Sequence, residues 1–182
     1  MPHTKETSLP TAEQLDMERR RLRYKRRYNR TLRSTVAILI VVAALAVLAA
    51  TLWMPVLRVY GSSMAPTLHN GEILVSVKTK DFSSGDIIAF YHGNKLLIKR
   101  YIAGPSDYVN VDEDGSVSVN GTLLDEPYLA EKAYGEADIE FPYQVPDQRY
   151  FVMGDNRSVS IDSRSSIVGC IAGDQIVGKV VF

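Results

Sequence analysis

The sequence predicts a mainly β domain carried behind one membrane-spanning α-helix. Three observations lead there. Residues 34–57 form a run of 24 without a charged side chain. The stretch after it reads as short apolar or alternating segments parted by Gly, Asn, Asp, Pro and Ser. Charge is also divided across the run: the formal net charge is zero, yet Met1–Ser34 holds 10 Lys/Arg against 4 Asp/Glu while residues 58–182 hold 11 against 17. A chain of 182 residues, 46% hydrophobic and 23% charged, suffices for one compact domain plus an appendage and is too apolar for a disordered one.

Taken in order, residues 1–34 are expected to be a basic cytoplasmic tail, 35–57 a transmembrane anchor and 58–182 an extracytoplasmic β-rich domain. About 20 helical residues cross a bilayer core, so the uncharged run spans with some tilt. It lacks the polar stripe of a soluble core helix, and Trp53 falls near its far end, where an indole meets the headgroups. The preceding Arg19-Arg-Arg-Leu-Arg-Tyr-Lys-Arg-Arg-Tyr-Asn-Arg30 holds the amino terminus in the cytoplasm, beside anionic lipid. Basic residues interleaved with Tyr24 and Tyr28 would also suit a nucleic-acid arm, but the juxtamembrane position already gives them a role, and no nucleic-acid partner is expected. Both the basic and the apolar stretches are longer than those of a cleaved leader, which favours an anchor that stays.

Strands are expected at Glu72–Val77, Asp86–Tyr91, Leu96–Ile102, Val109–Val111, Ser116–Val119, Tyr150–Met153 and Ile176–Val181, with loops from Asp125 to Pro146. Asn120-Gly121 after Ser-Val-Ser-Val marks a tight hairpin, whose turn needs positive φ at both positions. The single cysteine, Cys170, excludes an intrachain disulfide. His3, His69 and His92 match no metal-binding spacing, so neither metal nor other cofactor is expected.

Three constellations carry chemistry. Gly61-Ser62-Ser63-Met64-Ala65-Pro66-Thr67-Leu68 is a tight turn that presents a hydroxyl and backbone N–H groups; it reads equally as a plain linker. Lys99 lies among apolar strand residues, Leu96-Leu-Ile-Lys-Arg-Tyr-Ile102. If it is buried, its ammonium is disfavoured and the neutral amine accepts a serine proton; the alternative is a lysine on the solvent face. Neither His69 nor His92 has an obvious carboxylate to orient it, so lysine is the better base. The third constellation, Met153 to Arg164, carries Asp155, Arg157, Asp162 and Arg164, expected to pair and pin an irregular loop, with Ser160 placed to orient an amine.

Together these segments resemble the type I signal peptidases, in particular their short bacterial branch with a single anchor. The family's serine box is matched by Gly61–Leu68, its Gly-Asp-Ile box by Gly85-Asp86-Ile87-Ile88, its lysine box by Ile98–Asp107, and its last box by Gly154–Arg164. Asn120-Gly121 and Glu126-Pro-Tyr-Leu129 resemble a further stretch. The resemblance implies a body of coiled antiparallel sheets, with Ser63 as nucleophile, Lys99 as general base and Ser160 helping to position the amine. It further implies oxyanion support around Gly61 and Ser62, a structural role for Asp155, Asp162 and Arg164, and shallow pockets lined by Val59, Met64, Leu68 and Ile98. The implied activity is a membrane-bound serine endopeptidase of the plasma membrane that removes signal peptides bearing small residues at −1 and −3 from preproteins. Gly61 stands where some relatives carry serine, and Ala103 and Ser106 replace two usual glycines. Three other readings compete with it. A non-catalytic, membrane-anchored binding or assembly factor is opposed by the retention of Ser63 and Lys99, a self-cleaving repressor by the anchor, and a Cys170 thiol enzyme by its lack of a histidine context. Distance agrees with a membrane-bound substrate: Ser63 is ten residues beyond Trp53, so the nucleophile lies within about 35 Å of the headgroups.

Overall fold

In the computed structural model, which describes residues 11–79 and 81–181, the chain divides into two compact units whose boundary falls between residues 49 and 50. The first ten residues of the expected tail, His3 among them, lie outside the described residues, as do Lys80 and Phe182.

Helix α1 runs Ala12–Trp53 and begins well upstream of the uncharged run, so most of the basic stretch is helical too. No Gly or Pro occurs within it, and Arg, Lys, Leu and Glu are good helix formers. Thr11 and Gln14 cap its start, the Thr11 N–H donating to Gln14 Oε1 at 3.0 Å. Pro55 ends it, because the residue before a proline is pushed out of the α region. The uncharged segment is therefore helical only to Trp53 and not to 57, which still leaves about 30 Å of helix. Its most apolar window has a mean hydropathy of 2.8, and no residue of α1 is buried.

The second unit carries eleven strands among the described residues: β1 (Val56–Arg58), β2 (Ile73–Val77), β3 (Ile87–His92), β4 (Lys95–Ala103), β5 (Tyr108–Val111), β6 (Val117–Val119), β7 (Thr122–Leu123), β8 (Tyr143–Gln144), β9 (Arg149–Met153), β10 (Ile171–Ala172) and β11 (Ile176–Val181). They form two antiparallel sheets, one ordered β1-β2-β11-β3-β4-β9-β10 and the other β7-β6-β5-β8. All seven expected strands are present to within a residue or two. The Asn120-Gly121 turn joins β6 and β7 with φ of 51° and 78°, as a turn of that type requires. Ser106 holds a φ of 67°, so the turn after the lysine strand keeps the left-handed residue that glycine favours.

Strand β3 is buried on both faces, and alternation sends its side chains into separate cores. Ile87 packs with Val59, Met64, Leu68, Leu74 and Val180, while Ile88 and Phe90 pack with Val152 and Ile171. A third core joins the small sheet to β4 and β9 through Val109, Val117, Phe151 and Met153. Each fully buried Phe or Ile stabilises the fold by about 1.5–3 kcal/mol. The Val59–Leu68 core lies beneath the serine-bearing turn, so the packing that holds β3 also supports that turn.

Candidate active site

The turn that carries Ser63 is fixed from both ends. Gly61 adopts a φ of 92°, and its N–H donates to Asn70 Oδ1 at 3.1 Å. Ala65 N–H closes a turn onto the Ser62 carbonyl at 3.1 Å, and Leu68 N–H one onto the Met64 carbonyl at 2.9 Å. The buried side chains of Met64 and Leu68 anchor the turn while Ser63 stays partly accessible. From across the domain, Asn156 donates its N–H to the Ser63 carbonyl at 3.0 Å and its Nδ2 to the Ser62 carbonyl at 3.3 Å.

Lys99 comes from β4 and is 3% exposed. Its Nζ donates to Ser160 Oγ at 2.9 Å. Burial strips water from the ammonium and lowers the pKa to about 8; the carboxylates of Asp162 and Asp155 oppose the fall, and the Arg164 guanidinium adds to it. Both carboxylates are already matched by cations. Asp162 accepts from Arg164 Nε and Nη2, each at 2.9 Å, and Asp155 accepts from Arg100 Nε at 2.8 Å and Nη2 at 2.5 Å. Their pull on the lysine charge is weakened accordingly.

The expected charge pairs of the last loop form only in part. Asp162 and Arg164 pair with each other, but Asp155 reaches back to Arg100 and Arg157 pairs with Glu126. Arg100 also donates to the Gly85 carbonyl at 2.5 Å and lies 3.7 Å from the Tyr128 ring centroid. Tyr128 in turn donates to Glu126 Oε1 at 2.8 Å, and Thr67 donates to Asp155 Oδ2 at 2.5 Å. One buried network thus ties the serine turn, the lysine strand, the Glu126–Tyr128 segment and the last loop. Gly154 lets these segments meet, since a Cβ there would occupy the space of Ser160 Oγ and the Ser63 carbonyl. Its N–H donates to Asp162 Oδ2 at 2.9 Å.

Ser63 and Lys99 line one cavity of about 550 Å³ with Val59, Met64 and Ile98. Gly61 lines it too, although its N–H is engaged by Asn70. Leu68 lies instead in the core below, 1% exposed. Ser62 is exposed, and its carbonyl serves as an acceptor. His69 does have a carboxylate beside it, contrary to expectation: its Nδ1 is 3.3 Å from Glu72 Oε1, three residues on and reachable only through the turn there. The pair is exposed and does not line the cavity. Cys170 is buried, and its thiol is raised to about 11 by desolvation. The sequence assigns no role of their own to Thr67, Asn156 and Glu126; Glu126 and Arg157 stand 31 residues apart, with no periodicity to link them.

Residues 31–182 match the family model described as signal peptidase, peptidase S26. A signal peptidase I of Bacillus amyloliquefaciens is 38% identical over 79% of this chain and 83% of its own length. Signal peptidase I T of Bacillus subtilis is 39% identical over 87% of each chain. A crystal structure of a signal peptidase I from Enterococcus faecalis is similar at 30% identity and a TM-score of 0.48, covering 56% of this chain and 98% of that one.

Proposed function

From the premise that the chain belongs to the signal peptidase family S26, we propose that Ser63 and Lys99 are its nucleophile and general base. The enzyme is a serine endopeptidase, a hydrolase of peptide bonds that removes signal peptides. One observation carries the residue assignment: a lysine 3% exposed, held 2.9 Å from Ser160 Oγ, shares a single cavity with the serine of the family's box.

Neutral Lys99 takes the Ser63 proton as Oγ attacks the scissile carbonyl. The proton then passes to the leaving amine, and the signal peptide remains as an acyl group on Ser63. Water, deprotonated by the same amine, releases it. Ser160 accepts from Nζ and so fixes the amine's position. Because the Gly61 N–H is engaged, the oxyanion rests on the Ser63 N–H, which has no hydrogen-bond partner among the described residues. Val59, Met64 and Ile98 give the cavity apolar walls beside Ser63, against which small side chains at −1 and −3 would pack. The apolar segment of α1 anchors the enzyme in the plasma membrane, with its basic start cytoplasmic and its catalytic unit outside.

The test is cleavage of an exported preprotein by detergent-solubilised wild type, Ser63→Ala and Lys99→Ala, followed by gel shift. Wild type alone should cleave, with each variant reduced at least about a thousandfold. Cleavage that survives Ser63→Ala overturns the nucleophile. An inert wild type, across several preproteins, favours the binding-factor reading.

A further inference from the structure

A second, smaller cavity of about 200 Å³ borders the same serine turn. It shares no lining residue with the first. Ala65 and Pro66, the residues that follow Met64, form one wall; Asn156, which holds the Ser62 and Ser63 carbonyls, forms another with Asp155 and Ser158; Ala130, Glu131 and Ala133 complete it. A polypeptide cut at Ser63 continues on both sides of the scissile bond. The acyl half occupies the cavity that ends at Ser63 and Lys99. The leaving half must pass the turn, and the second cavity borders that turn directly after Met64, at Ala65 and Pro66.

The lining is mostly small, and its charges are unequal. Asp155 is neutralised by Arg100. Lys132 Nζ donates to Ser116 Oγ at 3.0 Å. Glu131 is exposed and has no partner among the described residues. Resting on the function proposed above, we propose that this cavity receives the first residues of the released polypeptide, and that Glu131 makes it favour basic over acidic side chains there. The enzyme would then read its substrate on both sides of the cut, by size before it and by charge after it.

The experiment uses internally quenched peptides identical up to the scissile bond, with Lys or Glu placed in turn at the first, second and third positions beyond it. Full-length wild type, Glu131→Gln and Glu131→Lys are compared by kcat/KM at low ionic strength. Wild type should prefer Lys by about two- to fivefold at one of the three positions, the range of an exposed charge pair. Glu131→Gln should bring that ratio to about one, Glu131→Lys should invert it, and salt should erase it within the screening length. Ratios equal in all three proteins overturn the cavity assignment while the Ser–Lys reading stands. If wild type cleaves none of the peptides or preproteins, both readings fall together.

Discussion

A lysine enclosed by protein loses the water that stabilises its charge, and Lys99 has little to replace it because both nearby carboxylates serve arginines. The acid limb of kcat/KM should therefore fall near pH 8, with activity rising as the amine loses its proton. A limb that stays near the free-lysine value would remove the base assignment. The same shift acts on stability. In the window from about 8 to 10.5 the unfolded chain carries a proton that the folded chain has shed, so stability rises with pH there. Below that window the buried charge costs the fold on the order of 3 kcal/mol. Lys99→Met is expected to abolish cleavage yet raise the melting temperature at pH 7, and to raise it much less at pH 10. Thermal unfolding at the two pH values checks this; an equal gain at both would mean the effect is packing alone.

At the scale of elements, four chain segments converge on the buried network around Asp155, and each contributes a partner the others lack. Glu126→Gln leaves the Arg157 guanidinium buried without its counter-charge, and is expected to cost about 3–5 kcal/mol in denaturant unfolding. The exposed Glu113→Gln should stay within about 0.5 kcal/mol; similar losses for the two would place the network's value elsewhere. These partnerships were not legible in the sequence, because the partners lie tens of residues apart. The strands were legible where an apolar or alternating run extended four residues or more, as in β3 and β4. β1, β7, β8 and β10 escaped because two or three residues carry no period. The basic stretch displays its charge more plainly than its helix propensity, so the first half of α1 is not legible ahead of the apolar run. Ser63, Lys99 and Ser160 stand out as candidates in the sequence but take their roles only from the family resemblance, whereas the Asn156 bonds that hold the serine turn depend on a chain reversal that no spacing encodes.

For the whole molecule, the segment that follows α1 enters the sheet at once. Trp53 and Pro55 accept from Lys78 and Ser76 at 3.1 and 2.9 Å, and Val56–Arg58 join the sheet directly. An insert of ten Gly/Ser residues between Trp53 and Val56 adds roughly 17 Å of flexible reach. It should slow preprotein cleavage in membranes more than cleavage of a short soluble peptide; equal slowing would mean that tethering contributes nothing. Cys170 has a separate bearing on the molecule's surroundings. The sole thiol of the chain is packed into the core and raised to about 11, so at neutral pH little of the thiolate that oxidants and disulfides attack is present. Copies of the protein will not crosslink to one another through sulfur, and cleavage will proceed at the same rate whether the medium is oxidising or reducing.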